Sequence, residues 1–289
     1  MIKTLIGKEN YLFLQNDTNN ELEVHHNNID LVSKDFYLKY EAVKSKFLLI
    51  IFPNKCYIQN KFLPEPFDLK YRPSFEKYNE YLKEHILDGY LFLKDKIDHY
   101  YKTDTHINLK GSYLIYENFI DKINKVFNLN IEKKNINIEE TFCPDGLSIL
   151  GKGIGDLTWD LNLGNQIITS KSDVYYYSKE IKYLYCTYII NSHSEIRLLD
   201  YNLDDVTNEH VNKTLDWHLI SKYILYKKNI VNNKFKILIF YDSFLLNSLD
   251  LYINMFDEVY LCKTLLNATL INLINPDYIF EFRCERFLS

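Results

Sequence analysis

The sequence lacks a C-x-x-C pair, an excess of basic residues, a membrane-length apolar run and a complete glycine-rich nucleotide motif. Each absence removes a class of function. The five cysteines, Cys56, Cys143, Cys186, Cys262 and Cys284, are odd in number and widely spaced. That argues against a zinc ribbon and against a disulfide framework. Reduced thiols fit a cytoplasmic setting. Lysine plus arginine number 34 against 39 aspartates plus glutamates, a net charge of −5. A general nucleic-acid binder needs a basic face for phosphates, so nucleic acid is not an expected partner. The longest purely aliphatic and aromatic run, Phe47 to Phe52, falls far short of the roughly 20 residues of a membrane helix. No transmembrane segment is expected. The opening "MIKTLIGKENYLFLQ" shows no long apolar region and no small-residue cleavage site. The expectation is a cytoplasmic protein, membrane-associated only through partners.

What is present is an ordinary globular composition. Hydrophobic residues make up 47% and charged residues 25% of 289 positions, enough for a sizeable core. The 25 tyrosines and 18 phenylalanines accompany abundant Asn, Lys and Ile, which reads as coding bias rather than as an aromatic binding surface. No repeat or low-complexity linker divides the chain, so a single domain over residues 1–289 is expected.

The run "FLLIIF" (47–52), closed by Pro53, suits a strand buried on both faces. Residues 73–87 open with Pro and space Phe75, Tyr78, Leu82 and Ile86 as a helix does. "YLFL" (90–93) reads as a further strand. Residues 109–127 place Tyr113, Tyr116, Ile120, Ile123 and Phe127 on one helical face, with Asn108 as N-cap. From about 128 to 234 the pattern turns β-rich, through "DVYYYS", "YLYCTYII" and "EIRLLDY". The last sixty residues alternate again: strands at 236–241, 258–262 and 278–282, helices at 244–255 and 264–273. Such alternation predicts an α/β fold, a three-layer α/β/α sandwich with a mainly parallel, flavodoxin-like sheet and a β-rich insertion. Sites in such sheets form beyond the carboxyl ends of the strands. That singles out Asn54 and Lys55, Asp104 to His106, Asp242 to Phe244, Lys263 and Thr264, and Arg283.

Ser243, in "KILIFYDSFLLNSL", falls where an apolar strand gives way to a helix. There a hydroxyl clears the sheet rim, and first-turn N–H groups can stabilise an oxyanion. The bland use of such a serine is an N-cap. A serine alcohol needs a base, and the base an orienting acid. In "YYKTDTHINLKGSY", Asp104 and His106 stand two apart, so an extended backbone points both the same way. Metal binding is their rival use, but the other histidines are scattered and His25-His26 lies in a polar, loop-like stretch; no metal site is expected. A second pair, Asp216 and His218, sits in a helix-like start where i and i+2 diverge. "LGKGIGDL" (150–157) lacks both the Lys-Ser/Thr ending and the full spacing of a phosphate loop, and reads as a turn.

Six segments in order resemble the SGNH-hydrolase-like proteins of the alginate O-acetyltransferase type. They are "GKENYLFL" (7–14), "LLIIFPNKCYIQNKFLP" (48–64), "YYKTDTHINLKGSY" (100–113), "GIGDL" (153–157), "ILIFYDSF" (237–244) and "ERFL" (285–288). The resemblance implies Ser243 as nucleophile, His106 as base and Asp104 as orienting acid, in an enzyme that moves acetyl groups onto polysaccharide hydroxyls. Two departures stand out: Tyr241 takes the place of a glycine before Asp-Ser, and Ile107 that of a tryptophan after the His. The first bears on the oxyanion hole or acceptor cleft, the second on sugar contacts.

The expected function is therefore O-acetylation of a bacterial capsular or other surface polysaccharide through acetyl-Ser243. Acetyl-CoA is the expected donor, with no bound cofactor, and capsule-assembly proteins are candidate partners. Lys55 and Arg283 are candidates for binding an anionic sugar or the CoA phosphates, and Asn54 and Asn247 for an oxyanion donor. Two other readings remain open here: a carbohydrate acetylesterase using the same three residues, and a non-catalytic glycan-binding or assembly protein.

Overall fold

The computed structural model describes residues 3–15, 20–68, 72–142, 156–158, 174–179, 187–192, 195–199 and 224–288. Twelve strands occur among them: β1 (Lys3–Ile6), β2 (Leu12–Gln15), β3 (Phe47–Phe52), β4 (Ile86–Asp88), β5 (Glu139–Phe142), β6 (Val174–Tyr177), β7 (Thr187–Ser192), β8 (Glu195–Leu199), β9 (Ile224–Lys228), β10 (Lys236–Tyr241), β11 (Glu258–Cys262) and β12 (Tyr278–Cys284). Eight form one sheet in the order β4-β3-β12-β10-β11-β9-β7-β8. The pairings from β4 through β11 are parallel. Those of β9 with β11, β7 with β9 and β8 with β7 are antiparallel. The β-rich region thus extends the main sheet at one end, and β5 and β6 pair apart from it.

The sheet sorts its side chains with period two. Leu48, Ile50 and Phe52 of β3, Ile237, Ile239 and Tyr241 of β10, and Phe280 and Phe282 of β12 enter one core cluster, with Tyr116, Phe119, Ile120 and Ile123 of the helix Leu109–Phe127. Phe47, Leu49, Ile51, Leu238, Phe240 and Ile279 enter a second cluster, with the helices Pro73–Leu82 and Ala268–Ile274. Two apolar clusters on opposite faces of one sheet make the α/β/α sandwich. All six residues of β3 are completely buried, which explains its unbroken apolar run. At about 1.5–3 kcal/mol for each fully buried large side chain, this strand is a principal source of stability.

Several expected elements differ. "YLFL" forms the short helix Tyr90–Leu93, not a strand: Asp88 Oδ1 accepts the Tyr90 N–H at 3.0 Å and turns the chain. The helix from Pro73 stops at Leu82, because Lys83 adopts a positive φ of 53°, and Ile86 begins β4 instead. The stretch after β10 is a 3₁₀ turn, Ser243–Ser248, followed by the helix Leu249–Ile253. His25 and His26 lie in a helix, Glu21–His26, rather than a loop. The pair Asp216 and His218 lies outside the described residues, as does most of the glycine-containing stretch before Asp156.

The helix Leu109–Phe127 begins as its sequence indicates, with Asn108 Oδ1 accepting the Gly111 N–H at 3.2 Å. A Cβ on Gly111 would come 2.4 Å from Ile107 Cγ1, so glycine is what lets the helix start lie against the loop that carries His106.

Candidate active site

Two connections beyond the carboxyl ends of β3, β10 and β12 supply the site. The first, residues 97–108, is tied down from below. Gln59 Nε2 donates to Ile97 O at 2.9 Å and Tyr100 O at 3.3 Å, and the Tyr100 hydroxyl donates to Pro53 O. Lys55 Nζ donates to Lys102 O at 2.8 Å and Asp104 O at 3.0 Å. The second is the turn after β10. Asp242 caps it, its Oδ1 accepting the Phe244 N–H at 2.9 Å. The cap is therefore Asp242, which leaves the Ser243 hydroxyl available for other bonds.

The two connections meet at His106. Asp104 Oδ1 accepts from His106 Nδ1 at 2.6 Å, and Ser243 Oγ lies 2.9 Å from His106 Nε2. A carboxylate can only accept, so Nδ1 carries the proton and Nε2 is free to accept from the serine hydroxyl. Asp104 and His106 are buried, whereas Ser243 is partly exposed. Asp104 Oδ1 also accepts the His106 N–H at 2.9 Å, and its Oδ2 accepts the Asp156 N–H at 3.0 Å.

Burial alone would raise the Asp104 pKa, but the His106 charge and these hydrogen bonds outweigh it and hold the carboxyl down at about 2. Burial disfavours charge on His106, yet the adjacent Asp104 outweighs that too and raises the imidazole above its ordinary value. A buried acid, a base of fixed tautomer and an accessible hydroxyl can together perform nucleophilic acyl transfer.

The remaining expected residues have other partners. Asn54 is fully buried; its Nδ2 donates to His25 Nε2 and its Oδ1 accepts from Cys284 Sγ at 2.9 Å. Asn247 Oδ1 accepts from Ser112 at 2.8 Å and its Nδ2 donates to Ile107 O at 2.8 Å, which ties the turn that carries Ser243 to the His106 loop. Lys55 is buried against carbonyl oxygens rather than lying on a solvated rim. Arg283 has the parity of Ile279 and turns to the opposite face, where its Nε donates to Glu281 Oε1 at 2.9 Å and its Nη2 to Thr264 O. Tyr241 is 1% exposed and belongs to the core. Ile107 is wholly buried, so its side chain belongs to the core rather than to a sugar-contacting surface.

Three groups went unassigned in the sequence. Asp156, in the "GIGDL" segment, accepts from Thr105 N at 2.8 Å and from Thr105 Oγ1 at 2.5 Å. Arg286 stands 5.4 Å from the Phe244 ring centre and donates through Nη1 to Glu21 Oε2 at 2.8 Å. His25 is buried between Asn54 and Tyr57; burial, then Arg72 and Arg286, push its pKa down to about 3, so it is neutral. Among the described residues, Asp104, His106 and Asp156 are the group whose spacing would also suit a metal ion. Each already has protein hydrogen-bond partners.

No protein-family model matches the chain, and no curated protein does. Solved structures do. PatB1 from Bacillus cereus superposes with a TM-score of 0.62 at 16% identity, over 100% of this chain and 98% of that one. A DHHW family protein from Eubacterium siraeum DSM 15702 gives 0.57 at 13% identity, over 99% and 95%. The O-acetyltransferase domain of Pseudomonas putida AlgJ gives 0.54 at 12% identity, over 100% and 92%. At these identities the shared property is the fold. No helix among the described residues is long and apolar enough to cross a membrane.

Proposed function

We propose that the protein is a polysaccharide O-acetyltransferase that works through an acetyl-Ser243 intermediate. The observation that carries this is the hydrogen-bonded series Asp104–His106–Ser243, in which His106 and Ser243 lie 137 residues apart in sequence. The fold shared with a chain described as an O-acetyltransferase domain supports the choice of reaction.

In the first half-reaction Ser243 Oγ attacks the carbonyl carbon of an acetyl thioester, with acetyl-CoA as the proposed donor. His106 Nε2 takes the serine proton, and Asp104 balances the charge that develops on the ring. The C–S bond breaks and the thiol departs with the proton from His106. In the second half-reaction a sugar hydroxyl gives its proton to His106 and attacks the acetyl-serine carbonyl. The bond to Ser243 Oγ breaks, and the serine regains its proton. The proposed acceptor is a bacterial capsular or other surface polysaccharide. Asn54 and Asn247 already have partners, and Asp242 takes the Phe244 and Leu245 N–H groups through its Oδ1 and its carbonyl, so the backbone N–H of Ser243 itself is the better candidate for an oxyanion donor.

The test pairs two incubations: acetyl-CoA with a de-acetylated glycan, and an acetylated glycan with water alone. Acetyl transfer that disappears in both Ser243→Ala and His106→Ala supports the proposal. Deacetylation without transfer identifies a carbohydrate acetylesterase. Full activity in Ser243→Ala contradicts both.

A further inference from the structure

The mechanism above uses one carboxylate, but the His106 ring has a second beside it. Asp156 Oδ2 lies 3.5 Å from His106 Nδ1, on a different chain segment from Asp104. The segment is well anchored. Leu157 N donates to Thr103 O at 3.3 Å, Thr4 Oγ1 donates to Leu157 O at 2.6 Å, and Leu157 packs against Leu12. Asp156 touches all three members of the Asp104-Thr105-His106 run. Its N–H donates to Asp104 Oδ2, its carboxylate accepts from the Thr105 amide and hydroxyl, and Oδ2 approaches His106 Nδ1.

A purely structural clamp on Thr105 would need hydrogen-bond acceptors but no charge. A charge here is unfavourable by itself. Burial, and next the nearby Asp104 carboxylate, raise the Asp156 pKa to about 6. The group that offsets two neighbouring carboxylates is a cation between them. The imidazolium of His106 is that cation, and it forms when the ring takes the serine proton. Arg286 opposes the two carboxylates and disfavours protonation of His106. Asp104 and Asp156 face the ring against it.

We propose that Asp156 is a positioning residue for His106: it fixes the loop that carries the base and is a second carboxylate that stabilises the ring when protonated. This rests on the reading of His106 as the general base. Loss of the Asp156 charge then has a defined sign. The protonated ring becomes less stable, so His106 titrates at lower pH. The acidic limb of kcat/KM, which needs the neutral ring, moves to lower pH with it. The plateau rate falls by roughly 10- to 100-fold, because misplacement of a catalytic group by about 1 Å costs up to the latter.

The experiment follows the imidazole resonance of His106 by NMR against pH, assigned with His106→Ala, in the full chain and in Asp156→Asn. Asp156→Ser is a second neutral replacement should the amide variant fail to fold. Thr4→Val removes the hydroxyl that donates to Leu157 O and keeps the Asp156 charge, so it should leave the titration near that of the unsubstituted protein. A downward shift in the neutral variants, absent in Thr4→Val, supports the proposal. An unchanged His106 titration in both neutral variants overturns it, whatever happens to the rate. Turnover of acetyl-CoA with a de-acetylated glycan, with and without His106→Ala, separately tests the underlying role of His106. Failure there leaves the titration result standing by itself.

Discussion

Asp242 Oδ2 accepts the backbone N–H of Cys284 at 2.6 Å, so the residue before the proposed nucleophile is bound to the end of the neighbouring parallel strand. Its other oxygen caps the turn that begins at Ser243. One carboxylate thereby sets both the height and the direction of the serine. Asp242→Ala leaves two backbone donors without this acceptor. Each hydrogen bond to a charged group contributes about 1.5–3 kcal/mol, and a displaced nucleophile costs on the order of 10²-fold in rate. We expect a lower urea midpoint and a fall in kcat together. A variant with unchanged kcat would show that Ser243 is positioned by other means.

Arg72 supplies a second prediction. Its guanidinium donates to Glu285 Oε1 and Oε2 from Nε at 2.9 and 3.1 Å, and to Asp88 Oδ2 from Nη1 at 2.7 Å. All three residues are buried. Arg72→Met strands two buried carboxyl groups and should destabilise the fold by about 3–5 kcal/mol. Arg72→Met combined with Glu285→Gln and Asp88→Asn should recover much of that loss. Equilibrium denaturation of the single and triple variants measures both, and a triple variant no better than the single one would contradict the account.

Lys55 separates two uses of one cation. If it bound an anionic sugar, Lys55→Met would chiefly raise KM. Its bonds to the carbonyls of Lys102 and Asp104 predict otherwise. Loss of these charge-assisted bonds should cost about 1.5–3 kcal/mol of stability and lower kcat, with KM for an anionic glycan little changed. Thermal denaturation alongside steady-state kinetics distinguishes the two.

The pH profile carries a sign. Base catalysis requires neutral His106, whose pKa is raised because Asp104 outweighs the effect of burial. The acidic limb of kcat/KM should therefore lie above the pH of an ordinary imidazole, about 6.5. Asp104, held at about 2, stays ionised across that range and should add no limb of its own. For stability the signs are opposite. The Asp104 contribution is present above its unfolded value and lost as pH falls through about 2; that of His106 is lost as pH rises through its raised value. An acidic limb at or below that of a free imidazole would contradict the electrostatic account.

Much of this architecture was legible because it rests on local pattern. "FLLIIF" suits a strand covered on both faces, and Asn108 ahead of a helical apolar stripe suits its cap; the fold has both. The spacing of Asp104 and His106 allowed a shared direction, which the loop adopts. "YLFL" failed because four apolar residues carry no usable period, and Asp88 decides the turn. The rim residues have protein partners for another reason. Position along a strand says where a side chain starts, not where it ends. Asn54, Lys55, Asn247 and Arg283 were expected to face a ligand, but their directions follow from partners distant in sequence, such as Cys284 for Asn54 and Ser112 for Asn247. Asp156 was in view inside a recognised segment, but its distance to His106 depends on tertiary packing through Leu157 and Leu12.

The most direct test of the central claim is intact-protein and peptide mass spectrometry after incubation with acetyl-CoA and no acceptor. The account predicts a single acetyl adduct on the peptide containing Ser243. The adduct should be absent in Ser243→Ala, form far more slowly in His106→Ala, and be discharged when a de-acetylated polysaccharide is added, with the acetyl group recovered on the glycan. An adduct that persists in Ser243→Ala, or none in the unsubstituted protein while the glycan still becomes acetylated, would contradict it.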